Sequence, residues 1–222
     1  MGELLLKVVP LGIGAAFTPS LLAMQILIVS GDPWRRRALA VIIGSGSAFG
    51  IVGVLSLLGF AQLPAPEPGA DVIGGLLRLA AAAVLAGLCV YLFWPHPLLQ
   101  KRVEAAITSR VARASAGVFL GMAFLLSIKD MSSFVMLVPA LHDIAVSPTN
   151  IIERTVALVV LYALALIGVL APPAARLILG QRASGAMKGI YRFTMDYQFQ
   201  IVGTVAAVMT VYLVISGLSQ LR

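Results

Sequence analysis

The chain has 222 residues, of which 60% are hydrophobic and 11% charged, with a formal net charge of +7. A soluble domain carries about 25% charged residues, so this composition excludes an ordinary soluble globule and points to lipid as the solvent. The positive excess falls in separate loops rather than on one face, which argues against a nucleic-acid partner.

Uncharged windows of about 20 residues, the length that crosses a bilayer core as helix, recur six times. They run Val8–Gly31, Ala38–Leu63, Val72–Trp94, Ala116–Leu141, Val156–Pro172 and Phe199–Leu218, the fifth with room to extend towards Leu179. The runs are continuous rather than alternating, so helices are expected and not a barrel. Cys89 is the only cysteine, which leaves no internal disulfide. The first window is too long for a signal-peptide core and is read as a span.

Basic residues alternate from loop to loop. Arg35, Arg36 and Arg37 follow the first window, Lys101, Arg102, Arg110 and Arg113 the third, and Arg176, Arg182, Lys188 and Arg192 the fifth. The loop LPAPEPGAD after the second has no Lys or Arg, and the loop after the fourth has only Arg154 beside Glu153. This pattern predicts an N-out, C-out bundle with three basic loops in the cytoplasm. The expected location is a bacterial plasma (inner) membrane, crossed several times.

Three pieces of the first half match three pieces of the second, in the same order. Val9–Ala23 aligns with Val118–Ser132, Arg37–Val41 with Arg154–Leu158, and Val84–Leu92 with Val205–Leu213. The expected architecture is therefore an all-α membrane domain over residues 1–222 built of two inverted three-helix repeats, about 8–94 and about 116–219. Such repeats usually build transporters whose site lies at the midplane between the halves.

The repeat sets Thr18, Pro19 and Ser20 opposite Ser127, Ile128 and Lys129, with Asp130 following. Pro19 has no N–H, so the carbonyl of Ala15 loses its helical partner and needs another donor. The flanking Thr18 and Ser20 hydroxyls offer two. Lys129 and Asp130 each cost about 2.5–3.5 kcal/mol at a helix centre, so intramembrane charges of this kind mark function or a structural ion pair. Neighbours in a helix point about 100° apart, so either the helix unwinds here or each charge has a separate partner. Gln25 lies below the proline break and is a candidate lining residue. Gly44, Gly46, Gly50 and Gly53 read as a close helix-packing face. Arg78 is placed near the outer surface with Asp71 to neutralise it. His96 and His142 stand alone with no metal-ligand spacing around either. No nucleotide loop or nucleophile–base pair is present, so neither an enzyme nor a cofactor or metal is expected. The basic, aromatic segment from Ala175 to Phe199 is read as an interfacial helix on anionic lipid or, in preference, as a positive-inside loop with an aromatic anchor.

Six helices in two inverted triplets, with Thr-Pro in the first and Ser-x-Lys in the fourth, resemble the LysE transporter superfamily. The stretches GAAFTPSLLAMQILIVSG and FLLSIKDMSSFVMLVPAL resemble most closely its GAP family of actinobacterial glycopeptidolipid- and sulfolipid-addressing proteins. The resemblance implies an exporter of a cell-envelope glycolipid. Lys129, Asp130, Thr18, Pro19, Ser20, Ser127 and Gln25 would then form its substrate and coupling site. The motif departs from the superfamily's Asn-Pro-Lys, because Ser127-Ile128 precedes the lysine here. Three readings stay open: a lipid exporter, a non-transporting scaffold of a lipid-export complex, and an exporter of amino acids or other small solutes. The expected partners are membrane lipids, the substrate itself, and either a second copy or a lipid-export complex.

Overall fold

The computed structural model describes residues 1–63, 71–93, 114–180 and 183–221, and every regular element among them is helical. His96, Lys101, Arg102, Arg110, Arg113, Arg182 and most of the LPAPEPGAD loop lie outside the described residues. The helices are α1 (Gly2–Ala15), α2 (Pro19–Val29), α3 (Trp34–Phe60), α4 (Val72–Phe93) and α5 (Ala116–Lys129). They continue as α6 (Met131–Val146), α7 (Ile151–Ala165), α8 (Ile167–Leu179), α9 (Ala183–Asp196) and α10 (Gln198–Gln220).

Three of these, α3, α4 and α10, are each long and apolar enough to cross a membrane. The first, fourth and fifth apolar windows are instead bent pairs: α1–α2 turns by 65°, α5–α6 by 70° and α7–α8 by 72°. Counting each pair as one span gives six. The long helices turn large apolar side chains outward. Val54, Leu55 and Leu58 of α3, Val90 of α4, and Val208, Val211 and Ile215 of α10 are each more than half exposed. A soluble monomer rarely tolerates so much contiguous apolar surface, whereas lipid requires it.

The breaks share one level. One buried core gathers Leu4, Val8, Leu11 and Ala15 of α1 with residues of α4, α6, α7 and α10, and with Phe49 of α3. A second gathers Leu21, Met24 and Val29 of α2 with residues of α5 and α9, with Val41 of α3 and with Val169 of α8. Each bent pair passes from one core to the other at its break. The kinked backbone therefore lies between two packed layers.

Helix directions follow from side-chain contacts. Gly12 of α1 meets Leu161 and Leu164 of α7, while Gly44 of α3 meets the backbone of Leu120 and the side chain of Ala123 in α5. Gly75 of α4 and Gly217 of α10 face one another so closely that a Cβ on either would sit 3.0–3.1 Å from the other's carbonyl oxygen. With Cys89 Sγ 3.5 Å from the Gly203 carbonyl, this makes α4 and α10 an antiparallel pair. Of the glycines expected to form a packing face, Gly44 and Gly53 do so inside the chain, Gly53 against the Tyr162 hydroxyl. A Cβ added at Gly46 or Gly50 would meet nothing within 4 Å beyond their own helix among the described residues.

Two expectations change. Of the two readings of the Ala175–Phe199 segment the preferred loop fails and the helical one stands: its described residues hold the end of α8 and all of α9. Its Met187, Thr194 and Met195 turn inward while Ile190 and Phe193 stay exposed, a helical period. Arg78 does not pair with Asp71. It is 1% exposed and its Nη2 lies 2.5 Å from Asp143 Oδ2 on α6.

Candidate functional site

The α1–α2 break begins with Pro19. The Ala15 carbonyl, deprived of the N–H that residue 19 would supply, accepts instead from Ser133 Oγ at 2.8 Å. The donor therefore comes from α6, not from the flanking Thr18 or Ser20. Thr18 is the N-cap position of α2, yet its hydroxyl caps nothing locally. It donates across to Asp130 Oδ2 at 2.6 Å.

The α5–α6 break is made without proline. Asp130 leaves the helical region at φ −80°, ψ 80° and serves as N-cap of α6, accepting from the Ser133 N–H at 3.4 Å. Aspartate is among the strongest N-cap residues, so an Asp three positions before Ser133 restarts a helix on its own chemistry. Its carboxylate is nearly saturated. Ser132 Oγ donates to Oδ1 at 2.5 Å, and Thr18 and Ser133 hydroxyls both lie 2.6 Å from Oδ2.

The two breaks thus complete each other: the first half supplies Thr18 to Asp130, and the second supplies Ser133 to Ala15. Ser133 has one hydroxyl proton and two acceptors in reach, the Ala15 carbonyl and the Asp130 carboxylate, so it satisfies one at a time.

Lys129 ends α5, where a cation meets the negative pole of the helix. It is exposed and makes no ion pair among the described residues, Asp130 being occupied by hydroxyls. With Phe17, Thr18, Ser20, Asp130, Ser132 and Gln198 it lines a cavity of about 390 Å³. On the other side of Thr18-Pro19 lies a second cavity of about 460 Å³, lined by Ile13, Phe17, Leu22, Leu164 and Ile201 and almost wholly apolar. Gln198 was not singled out by sequence. It is 7% exposed, and its Nε2 has no hydrogen-bond partner.

Of the expected site residues, Thr18, Pro19, Ser20, Lys129 and Asp130 come together around the Lys129 cavity. Ser127 is fully buried and its hydroxyl finds no partner. Gln25 is also fully buried and belongs elsewhere: Nε2 donates to the Val169 carbonyl at 2.9 Å and to the Ala38 carbonyl at 3.3 Å, tying α2 to α8 and α3. Ser133 is the contributor missed by sequence. The Ser132-Ser133 pair announces a polar segment, but its target across the bundle is a tertiary fact.

No curated protein and no solved structure matches the chain. The model of one family, Sap, sulfolipid-1-addressing protein, matches residues 8–219, which take in both halves and all three breaks, and the chain belongs to that family.

Proposed function

We propose that the protein is a transporter of the plasma membrane that helps move an anionic envelope glycolipid outward, by exposing the break-plane site alternately to either side. The observation that carries this reading is the reciprocal junction of Thr18–Asp130 and Ser133–Ala15, with a lysine-bearing cavity on one flank and an apolar cavity on the other. An amphiphile fits that pair better than a small polar solute. Its anionic head group pairs with Lys129 and its hydrocarbon chain enters the apolar side.

The packing supports an inverted repeat. The first half lays α1 on α7 through Gly12, and the second lays α5 on α3 through Gly44, the same relation with the halves exchanged. Discontinuous helices at a repeat interface are the usual binding elements of such transporters. Asp130 is the candidate coupling group, because the Thr18 bond to its carboxylate is one of the two hydrogen bonds that hold the breaks together. The family's link to sulfolipid addressing supports a sulfated glycolipid as cargo.

The test is purified protein in liposomes loaded with a fluorescent sulfated glycolipid. The wild type is expected to move it, Lys129→Ala to abolish movement, and Lys129→Arg to retain part of it. Wild-type rates in a folded Lys129→Ala variant refute the role of the lysine. A wild type that moves nothing replaces this reading with the accessory, scaffold one.

A further inference from the structure

A separate cluster sits at the opposite end of α6, about 18 Å along that helix from Asp130. Asp71 stands before α4, His142 and Asp143 lie on α6, and Gln220 ends α10. None of them belongs to the break-plane site. The donor atoms of Asp71, His142 and Asp143 all lie within 4.8 Å of one another. His142 is 1% exposed, and its Nδ1 has no hydrogen-bond partner. It faces Asp71 Oδ2 at 3.6 Å. That distance is too long for an N–H···O hydrogen bond, which needs about 2.7–3.2 Å. It is close to the separation of neighbouring donors around one ion, about 3.3–3.6 Å for metal bonds of about 2.0–2.2 Å.

Both carboxylates are already held from outside the cluster. Gly74 N–H donates to Asp71 Oδ1 at 2.8 Å, leaving Oδ2 towards His142. Arg78 donates to Asp143 Oδ2 at 2.5 Å, and the Gln220 side chain also hydrogen-bonds this carboxylate. Metal-ligating carboxylates are oriented by such outer partners. Arg78 and, from α1, Lys7 balance the two carboxylates, so an ion would be held by its ligand atoms and not by a net negative field. The cluster opens onto a vestibule of about 630 Å³ lined by Met1, Glu3, Lys7, Asp71, Asp143 and Gln220, which supplies an entry path. The side-chain oxygen of Gln220 is buried without a partner and adds a neutral donor.

We propose that Asp71, His142 and Asp143 form a binding site for a divalent transition metal, with Gln220 or water completing the coordination. One imidazole nitrogen with carboxylate oxygens suits Zn²⁺ or Mn²⁺ better than Mg²⁺ or Ca²⁺. Asp71 belongs to the first half and His142 and Asp143 to the second, so the ion clamps the halves together at the end away from the basic loops.

The experiment uses the full chain in detergent, purified without a histidine tag and stripped with chelator. Equilibrium dialysis against Zn²⁺ with elemental analysis is expected to give one ion per chain. His142→Asn and Asp71→Asn are each expected to weaken binding by more than the roughly 10–100-fold that loss of an outer partner costs. Asp71→Asn keeps an oxygen to cap the Gly74 N–H, which protects the fold. Lys129→Ala binds Zn²⁺ normally, which separates this site from transport. Co²⁺ on the wild type reports the ligands without any substitution: visible bands with no thiolate charge transfer are expected. Substoichiometric Zn²⁺ in the wild type, unchanged affinity in Asp71→Asn, or a thiolate band from Cys89 would each overturn the proposal.

Discussion

Ser133→Ala removes one hydroxyl and strands one carbonyl. In the wild type Ser133 Oγ is the donor that the Ala15 carbonyl finds after Pro19 has withdrawn its own. A net hydrogen bond contributes about 0.5–1.5 kcal/mol, and a buried carbonyl left without a donor costs about 1–3 kcal/mol. Within a membrane the unfolded reference also finds partners, and measured polar couplings between helices average about 0.6 kcal/mol with a maximum near 1.7. The cost of the stranded carbonyl and the membrane couplings overlap at about 1–1.7 kcal/mol, which is the expected loss. Pro19→Ala supplies the control, because it returns an N–H that can bond Ala15. In that background Ser133→Ala is expected to cost clearly less. Reversible unfolding in mixed detergent micelles, run as a double-mutant cycle, reads both values. A loss below about 0.5 kcal/mol, or the same loss with and without Pro19, refutes the cross-break hydrogen bond as the reason for the kink's stability.

Thr18→Val cuts the 2.6 Å bond to Asp130 while keeping the side-chain shape, and is expected to stop glycolipid movement in liposomes, whereas Thr18→Ser retains it. Arg78→Met and Asp143→Asn each leave a buried, unpaired group from the Arg78–Asp143 pair. Each should lower unfolding free energy by about 3–5 kcal/mol, with the loss in the apolar double variant Arg78→Met/Asp143→Leu much smaller. Gly75→Leu forces a side chain into the backbone of Gly217 and is expected to lower the thermal midpoint sharply. Gly46→Leu, with nothing within 4 Å, leaves the midpoint near the wild-type value.

The sequence carried the strand of this logic that is local. Pro19 alone announces an orphaned Ala15 carbonyl, and the Lys129-Asp130 doublet inside an apolar run announces either an unwound segment or separate partners. The first alternative holds: α5 ends at Lys129 and the chain leaves the helical region at Asp130, whose carboxylate meets hydroxyls while Lys129 has no ion pair among the described residues. Asp130 could have been recognised as an N-cap from the serines that follow it, even without the expected proline. The identity of the donor to Ala15 was not legible, because Ser133 is 118 residues away and only packing of α1 on α6 brings it there. Arg78 misled for the same reason. Asp71 is its sequence neighbour, but Asp71 caps α4 and the arginine reaches α6. The break between α7 and α8 carried no proline at its hinge, and the prolines that are visible, Pro172 and Pro173, lie inside α8. Asp71, Asp143 and Glu3 line one vestibule, while Arg37 packs over Phe119 at the other end.

Alternating exposure of the break plane is tested most directly by sided labelling of one cysteine. Ser20→Cys in a Cys89→Ala background places a thiol on the Lys129 cavity. A membrane-impermeant thiol reagent is applied to right-side-out and to inside-out vesicles. The account predicts labelling from both sides, with the balance shifted by sulfated glycolipid and by Asp130→Asn. Labelling from one side only, unchanged by either, would contradict it.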